Sequence, residues 1–296
     1  MADTMSVLKA NHESVKKESQ FIAILKRLAS NKLAMFGLFV LIAVVLVAIF
    51  APILAPYSPD YIDRNAYNQR ASAEHLLGTD VMGRDLLSRL IYGARYSLGL
   101  SFSSVLLSLV CGVIIGAIAG YFGGAVDQVV MRLTDVIQAI PGVLLNMALV
   151  CVLGQGVFNT ILALGISGIA NNVRMMRASI LKVRKMEYLD AAASINCSST
   201  RIIAKHVLPN AFSPMIVSST MSIGSVMLNA AALSYLGLGV PLGTPEWGSM
   251  LNAGRDYIMS RPELTVLPGL CIILVVLAIN LLGDGLRDAM DPRLKK

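Results

Sequence analysis

Long apolar runs, broken by short polar or proline- and glycine-rich segments, set the pattern of this 296-residue chain. An uncharged run of about 18 residues or more can cross a hydrocarbon core about 30 Å thick as a helix, the one single-segment structure that satisfies its own backbone groups there. Six spans are expected, at 33–54, 97–120, 129–152, 157–173, 211–235 and 264–282. The fold class is therefore all-α and polytopic, with six transmembrane helices.

The polar positions organise the rest. Residues 1–32 form a basic leader whose stretch from Phe21 to Leu28 is expected to make a short surface helix. The run at 33–54 is too long for the apolar region of a cleaved signal and should remain as an anchor. It ends in "APILAPYSPD", where prolines stop the helix because they lack an amide hydrogen and clash with the preceding turn. Residues 55–96 read as an outer segment. In it Leu86, Leu87, Leu90 and Ile91 recur opposite Asp85, Arg89 and Arg95, the pattern of an amphipathic helix lying along the interface. A five-helix core follows over 97–282, with an inner loop at 174–210 and a tail at 283–296.

Orientation follows from charge. The outer segment holds five arginines, against the usual bias, but the loop at 174–210 carries Arg174, Arg177, Lys182, Arg184, Lys185, Arg201 and Lys205. The more basic loop is placed in the cytoplasm, together with both chain ends.

Two spans carry polar or small faces. Ser97, Ser101, Ser104, Ser108, Gly112, Gly116 and Gly120 share one face of the second, a surface suited to close helix packing or to lining a solute path. Ser218, Ser222, Ser225 and Asn229 share a face of the fifth, and Ser222, Ser225 and Asn229 are candidates for a translocation path. The third span is interrupted at Pro141-Gly142.

Composition agrees with a membrane protein: 55% of residues are hydrophobic, 15% are charged, and mean hydropathy is +0.68. The net charge of +7 lies in loops and tails beside apolar runs, so topology explains it without nucleic acid. Cys111, Cys151 and Cys271 fall in spans and Cys197 in the inner loop, where they read as small apolar fillers. The three histidines are scattered and form no metal set, and no nucleophile and base can be assembled, so neither catalytic nor metal residues are assigned. A phosphate loop of the G-x-x-x-x-G-K-[ST] type is absent; "GYFGG" merely joins two spans. Asp127, Arg132, Asp135 and Asp284 lie near span ends, and Arg132 and Asp135, three residues apart, can pair on one helix face. With no ionisable group deep in a span, the energy for any transport should come from elsewhere.

The inner loop stands apart. "EYLDAAASINCSSTRIIAKHVLPN", residues 187–210, reads as a helix, a sharp turn at Asn196, and a second helix capped by Ser198 or Ser199 and ended by Pro209. It resembles the "EAA" loop of bacterial ATP-binding cassette importer permeases, with Asp190, Ala191 and Ala192 as the acidic-Ala-Ala element, Asn196 in the glycine position and Leu208-Pro209 closing it. "LGTDVMGRDLLSRLIYGARYSL", "LSYLGLGV", "EWGSMLNAGRDY" and "NLLGDGLRDAMDPRL" are similar to the C-type permease subunit of the dipeptide/oligopeptide/nickel importer family, as is "LKRLASNKLAMFGL". The resemblance covers nearly the whole chain from about residue 25 and implies a type I importer permease fold in a bacterial inner membrane. It also implies a heterodimer with a homologous B-type permease, one or two cytoplasmic ATPase subunits and an extracytoplasmic solute-binding protein. No cofactor would be bound by this chain, since ATP and magnesium belong to the ATPases. Glu187, Tyr188, Asp190, Ala191, Ala192 and Asn196 would form the docking surface of a coupling helix.

Two readings of other classes stay open at this point: a self-sufficient channel or secondary transporter, and a membrane scaffold whose inner loop recruits a soluble partner. Inverted repeats or deep coupling charges would favour the first, and neither is visible. Di- and oligopeptides are the cargo the resemblance implies first, ahead of nickel or other metal chelates, glutathione and other small solutes.

Overall fold

The computed structural model describes residues 20–184, 186 and 197–290. All regular elements among them are helical, apart from one isolated bridge between Thr79 and Asp85. In chain order they are α1 (Gln20–Ser30), α2 (Lys32–Ile49), α3 (Ala51–Leu54), α4 (Leu86–Phe122), α5 (Gly124–Ala139), α6 (Gly142–Leu153), α7 (Val157–Val183), α8 (Ser199–Ile202), α9 (Leu208–Ala211), α10 (Ser213–Tyr235), α11 (Trp247–Gly254) and α12 (Glu263–Met290). A π-helical turn, Ile203–Val207, joins α8 to α9, and a 3₁₀ turn, Arg255–Tyr257, follows α11.

Four helices, α2, α4, α10 and α12, are long and apolar enough to cross a membrane. The expected third span is α5 and α6, bent by 91° at the break. Ile140 sits there in an extended conformation because the following Pro141 crowds the helical one. The expected fourth span is the outer part of α7, whose inner end carries Asn171, Asn172, Arg174 and Arg177 and is correspondingly polar.

The helices pack through small residues, as the pattern suggested. α4 and α7 share the most extensive helix–helix interface among the described residues. A Cβ on Gly112 would lie 2.3 Å from Asn172 Cβ, and one on Gly116 would lie 2.6 Å from the Val173 carbonyl oxygen. Only glycine admits this approach. Asn172 Nδ2 donates to Ser108 Oγ at 3.1 Å, within a stripe that is buried throughout, so the small face of α4 is a helix-packing surface inside the subunit. α2 lies along α12 in the same manner, with Gly37 against Ala278 and Leu281. Its other side, including Phe36, Phe39 and Ile49, is exposed, as suits a face meeting lipid.

α4 departs from expectation. The amphipathic helix expected along the interface and the second span are one unbroken helix of 37 residues, about 55 Å long. Its first turns are buried, with Leu86 and Arg89 almost inaccessible, so the segment does not lie flat on a surface. Asp85 starts it: one carboxylate oxygen accepts from the Ser88 N–H and Oγ, both at 2.7 Å, and the other meets His75 Nδ1 at 3.0 Å. The expected boundary at 282 is also crossed by a continuous helix, since α12 runs on to Met290.

Candidate functional site

The end of the molecule that carries the basic 174–210 loop is built around α7. Met176, Ile180 and Val183 of α7 form one apolar cluster with Ala117 of α4 and with Ile202, Val207, Ala211 and Met215. The second arm of the inner loop is thereby packed onto the ends of two long helices. Pro209 does not end this arm. The chain widens into the π-helical turn immediately before it, and helix resumes as α9 with the proline in its first turn, where a missing N–H costs nothing. Arg201 and Lys205 face outward from the arm. Glu187, Tyr188, Asp190, Ala191, Ala192 and Asn196 lie outside the described residues.

α5 is tied to α7 by charge. Arg177 donates through Nε and Nη2 to both carboxylate oxygens of Asp127, and Arg174 donates through Nη2 to Asp135. Asp135 does not pair with Arg132, as the three-residue spacing on α5 suggested; its partner comes from a helix 39 residues further along the chain. Arg132 is exposed on α5 beside an open recess lined also by Asp127, Gln128, Met131, Asp135 and Arg177.

The three path candidates on α10 are not drawn into one polar site. Ser222 Oγ donates to the Ser218 carbonyl at 2.8 Å and is satisfied within its own helix, Ser225 is exposed, and Asn229 is half-buried. Asn146 Oδ1 on α6 and Ser219 Oγ on α10 are buried polar atoms with no hydrogen-bond partner among the described residues, and sequence spacing gave no signal for either.

The opposite end holds a buried polar network that takes in two of the five arginines of the 55–96 segment, Arg84 and Arg89, while Arg64, Arg70 and Arg95 are exposed. Arg84 Nε meets Asp80 Oδ2 at 2.7 Å. Arg89 donates to the carbonyls of Pro59, Gly243 and Thr244 at 3.0 to 3.3 Å. Arg261, 4% exposed, donates to the Asn68, Gln69 and Thr79 carbonyls and to Asn68 Oδ1, and pairs with Glu263. Glu246 caps α11 by accepting from the N–H groups of Gly248 and Ser249, both at 2.8 Å, and from Ser97 Oγ at 3.1 Å. Burial raises its carboxyl above the ordinary range, and these donors oppose the shift. Trp247 Nε1 donates to the Leu90 carbonyl at 3.1 Å, which locks α11 to α4.

Residues 112–296 match the family described as binding-protein-dependent transport system inner membrane component. Residues 19–73 match the N-terminal transmembrane domain of oligopeptide transport permease C. The chain is 43% identical over 272 residues to the dipeptide transport system permease protein of Alkalihalophilus pseudofirmus, covering 91% of this chain and 89% of that one. It is 45% identical over 273 residues to the di/tripeptide transport system permease protein of Pseudomonas aeruginosa, covering 90% of each. It is 41% identical over 260 residues to the glutathione transport system permease protein of Pectobacterium atrosepticum, covering 88% and 86%. Among solved structures, an inward-facing MetNI methionine ABC transporter chain superposes with a TM-score of 0.57 at 17% identity, over 69% of this chain and 97% of that one, which is a likeness of fold.

Proposed function

The chain belongs to the binding-protein-dependent transport system inner membrane component family, as a multi-pass permease subunit of an ATP-binding cassette importer, and from this premise we propose how it works and what it carries. It crosses the inner membrane six times with both ends in the cytoplasm and pairs with a homologous but different permease. One or two ATPase subunits dock on the inner loop through Glu187, Tyr188, Asp190, Ala191, Ala192 and Asn196. When ATP draws the ATPases together, the loop is displaced and the spans rock from inward- to outward-facing. A solute-binding protein delivers cargo at the outer mouth, and hydrolysis resets the cycle. ATP and magnesium stay on the ATPases.

One observation carries the mechanical part of this reading: Ile202, Val207 and Ala211 are buried against Met176 and Ile180, so force on the loop's second arm reaches α7 and α4 through packed side chains. A close-packed interior passes displacement on instead of absorbing it. Di- and oligopeptides are the proposed cargo, because two of the relatives are named for dipeptide or di/tripeptide transport. Ser222, Ser225 and Asn229 are proposed to face the path.

Ala192→Arg tests the docking surface: a bulky charge there should abolish both ATPase co-purification and uptake. Retention of both would remove the docking assignment. Labelled glutathione accumulating in place of labelled dipeptide would replace the cargo and leave the machine intact. Normal uptake by a correctly assembled Asn229→Leu complex would exclude that side chain from the path.

A further inference from the structure

α5 differs from the other long helices in how it is held. Gly123 and Gly124 precede its body with φ of +67° and +56°, and Ile140-Pro141 breaks the chain after it. A side chain on Gly124 would meet nothing within 4 Å, so the first residue of α5 has open space beside it. Val126, Val129, Leu133, Val136 and Ile140 are exposed along one side, and Thr134 is the one residue of α5 that is fully buried. α5 packs against both α4 and α7, and its two ion pairs to another helix, Asp127–Arg177 and Asp135–Arg174, both go to α7.

The geometry of those contacts is informative. Asp127 and Asp135 are eight residues apart on α5, about 12 Å along its axis, whereas Arg177 and Arg174 are three apart on α7, about 4.5 Å. The arms of Arg174 and Arg177 are long enough to take up that difference, so two separated points of α5 are gathered onto a short stretch of α7, and two separated attachments resist pivoting that a single one would permit. α7 is also the helix into whose inner end the loop arm is packed.

We propose that Asp127–Arg177 and Asp135–Arg174 are positioning residues for transport: they make α5 follow α7, so that a displacement of the inner loop becomes a change of tilt of α5 between its glycine and proline breaks. Displacement of α7 pulls both carboxylates at once, and the recess beside Arg132 changes shape as α5 swings. The proposal rests on the reading that the inner loop receives the ATPases.

The test uses the full complex of both permeases, ATPases and binding protein in liposomes, with a labelled dipeptide as probe. Asp127→Arg and Arg177→Asp should each lower dipeptide carried per ATP hydrolysed by about tenfold while ATP turnover continues. The double variant, which restores the pair with its charges exchanged, should return to within about threefold of the starting protein, the non-additivity expected of a direct contact. Asp127→Asn, which keeps shape and removes charge, covers the case in which a reversal impairs assembly; it should fall in the same direction. Single variants with unchanged transport per ATP, or a double variant as poor as the singles, would overturn the proposal. If the starting complex carries neither dipeptide nor glutathione, the functional reading fails instead. Loss of uptake in Ala192→Arg, together with an Asp127→Arg/Arg177→Asp double variant as poor as its singles, would leave the docking surface standing and remove the α5 linkage alone.

Discussion

The two ends of this molecule use charge in opposite ways. At the outer end Arg261, Arg84 and Arg89 are almost inaccessible, and between them they reach backbone carbonyls of Asn68, Gln69, Thr79, Pro59, Gly243 and Thr244. At the inner end Asp135 and Arg174 keep 48% and 43% of their side chains exposed, and each pair joins one helix to one other. A buried ion with many partners cannot leave without stranding all of them, so it fixes the backbone around it. A half-exposed pair has water as an alternative partner, so its loss costs the fold little. The end around Arg261 is thereby fixed in shape and the end around Asp135 is more lightly tied, a division that suits the proposed drive through the 174–210 loop.

This contrast is open to direct attack. Arg261→Ala should show the largest effect, about 2–4 kcal/mol of lost stability, because four hydrogen bonds from one buried guanidinium, to Asn68, Gln69 and Thr79, are lost together. Thermal unfolding of the detergent-solubilised complex checks this, and a small shift would mean the outer network is not a clamp. Next, Gly112→Val places a carbon where Asn172 already sits and should cost about 1–3 kcal/mol by separating α4 from α7, read in the same assay. Glu246 gives a subtler signal. Its folded carboxyl holds a proton more tightly than the unfolded one, so its contribution favours the fold at low pH and is lost as pH rises from about 4.5 toward the raised folded value. The melting temperature of Glu246→Gln should therefore decline less over that range than that of the starting protein; parallel curves would count against a protonation change at Glu246. The smallest stability effect is expected for Asp135→Asn, under about 1 kcal/mol, even as dipeptide carried per ATP falls. A melting shift as large as that of Arg261→Ala would erase the distinction between the two ends.

Much of this was legible in the order of residues. The apolar runs located the long helices because the hydrocarbon core imposes a minimum length, and the serine and glycine stripe of α4 marked a packing face because close approach requires small side chains. What was not legible depended on which helices become neighbours. Asp127 and Asp135 announce charge on α5, but local spacing suggested Arg132 as a partner, and only the packing of α7 beside α5 supplies Arg174 and Arg177. The arginines of the 55–96 segment were puzzling because charge statistics assume solvated loops, whereas two of the five, Arg84 and Arg89, are enclosed and paired with Asp80. Pro209 was read as a stop because a proline removes one helical hydrogen bond; a wider turn just before it absorbs the defect. The residues expected to receive the ATPase were reached through the pattern Asp190-Ala191-Ala192, not through packing.

The central claim is that this permease has no drive of its own and moves when ATPases push its inner loop. Liposomes holding the chain alone, and liposomes holding it with its paired permease, ATPases and binding protein, should be compared for accumulation of labelled dipeptide under ATP and under an imposed ion gradient. The account predicts accumulation only by the full set and only with ATP. Gradient-driven accumulation by the chain alone would contradict it.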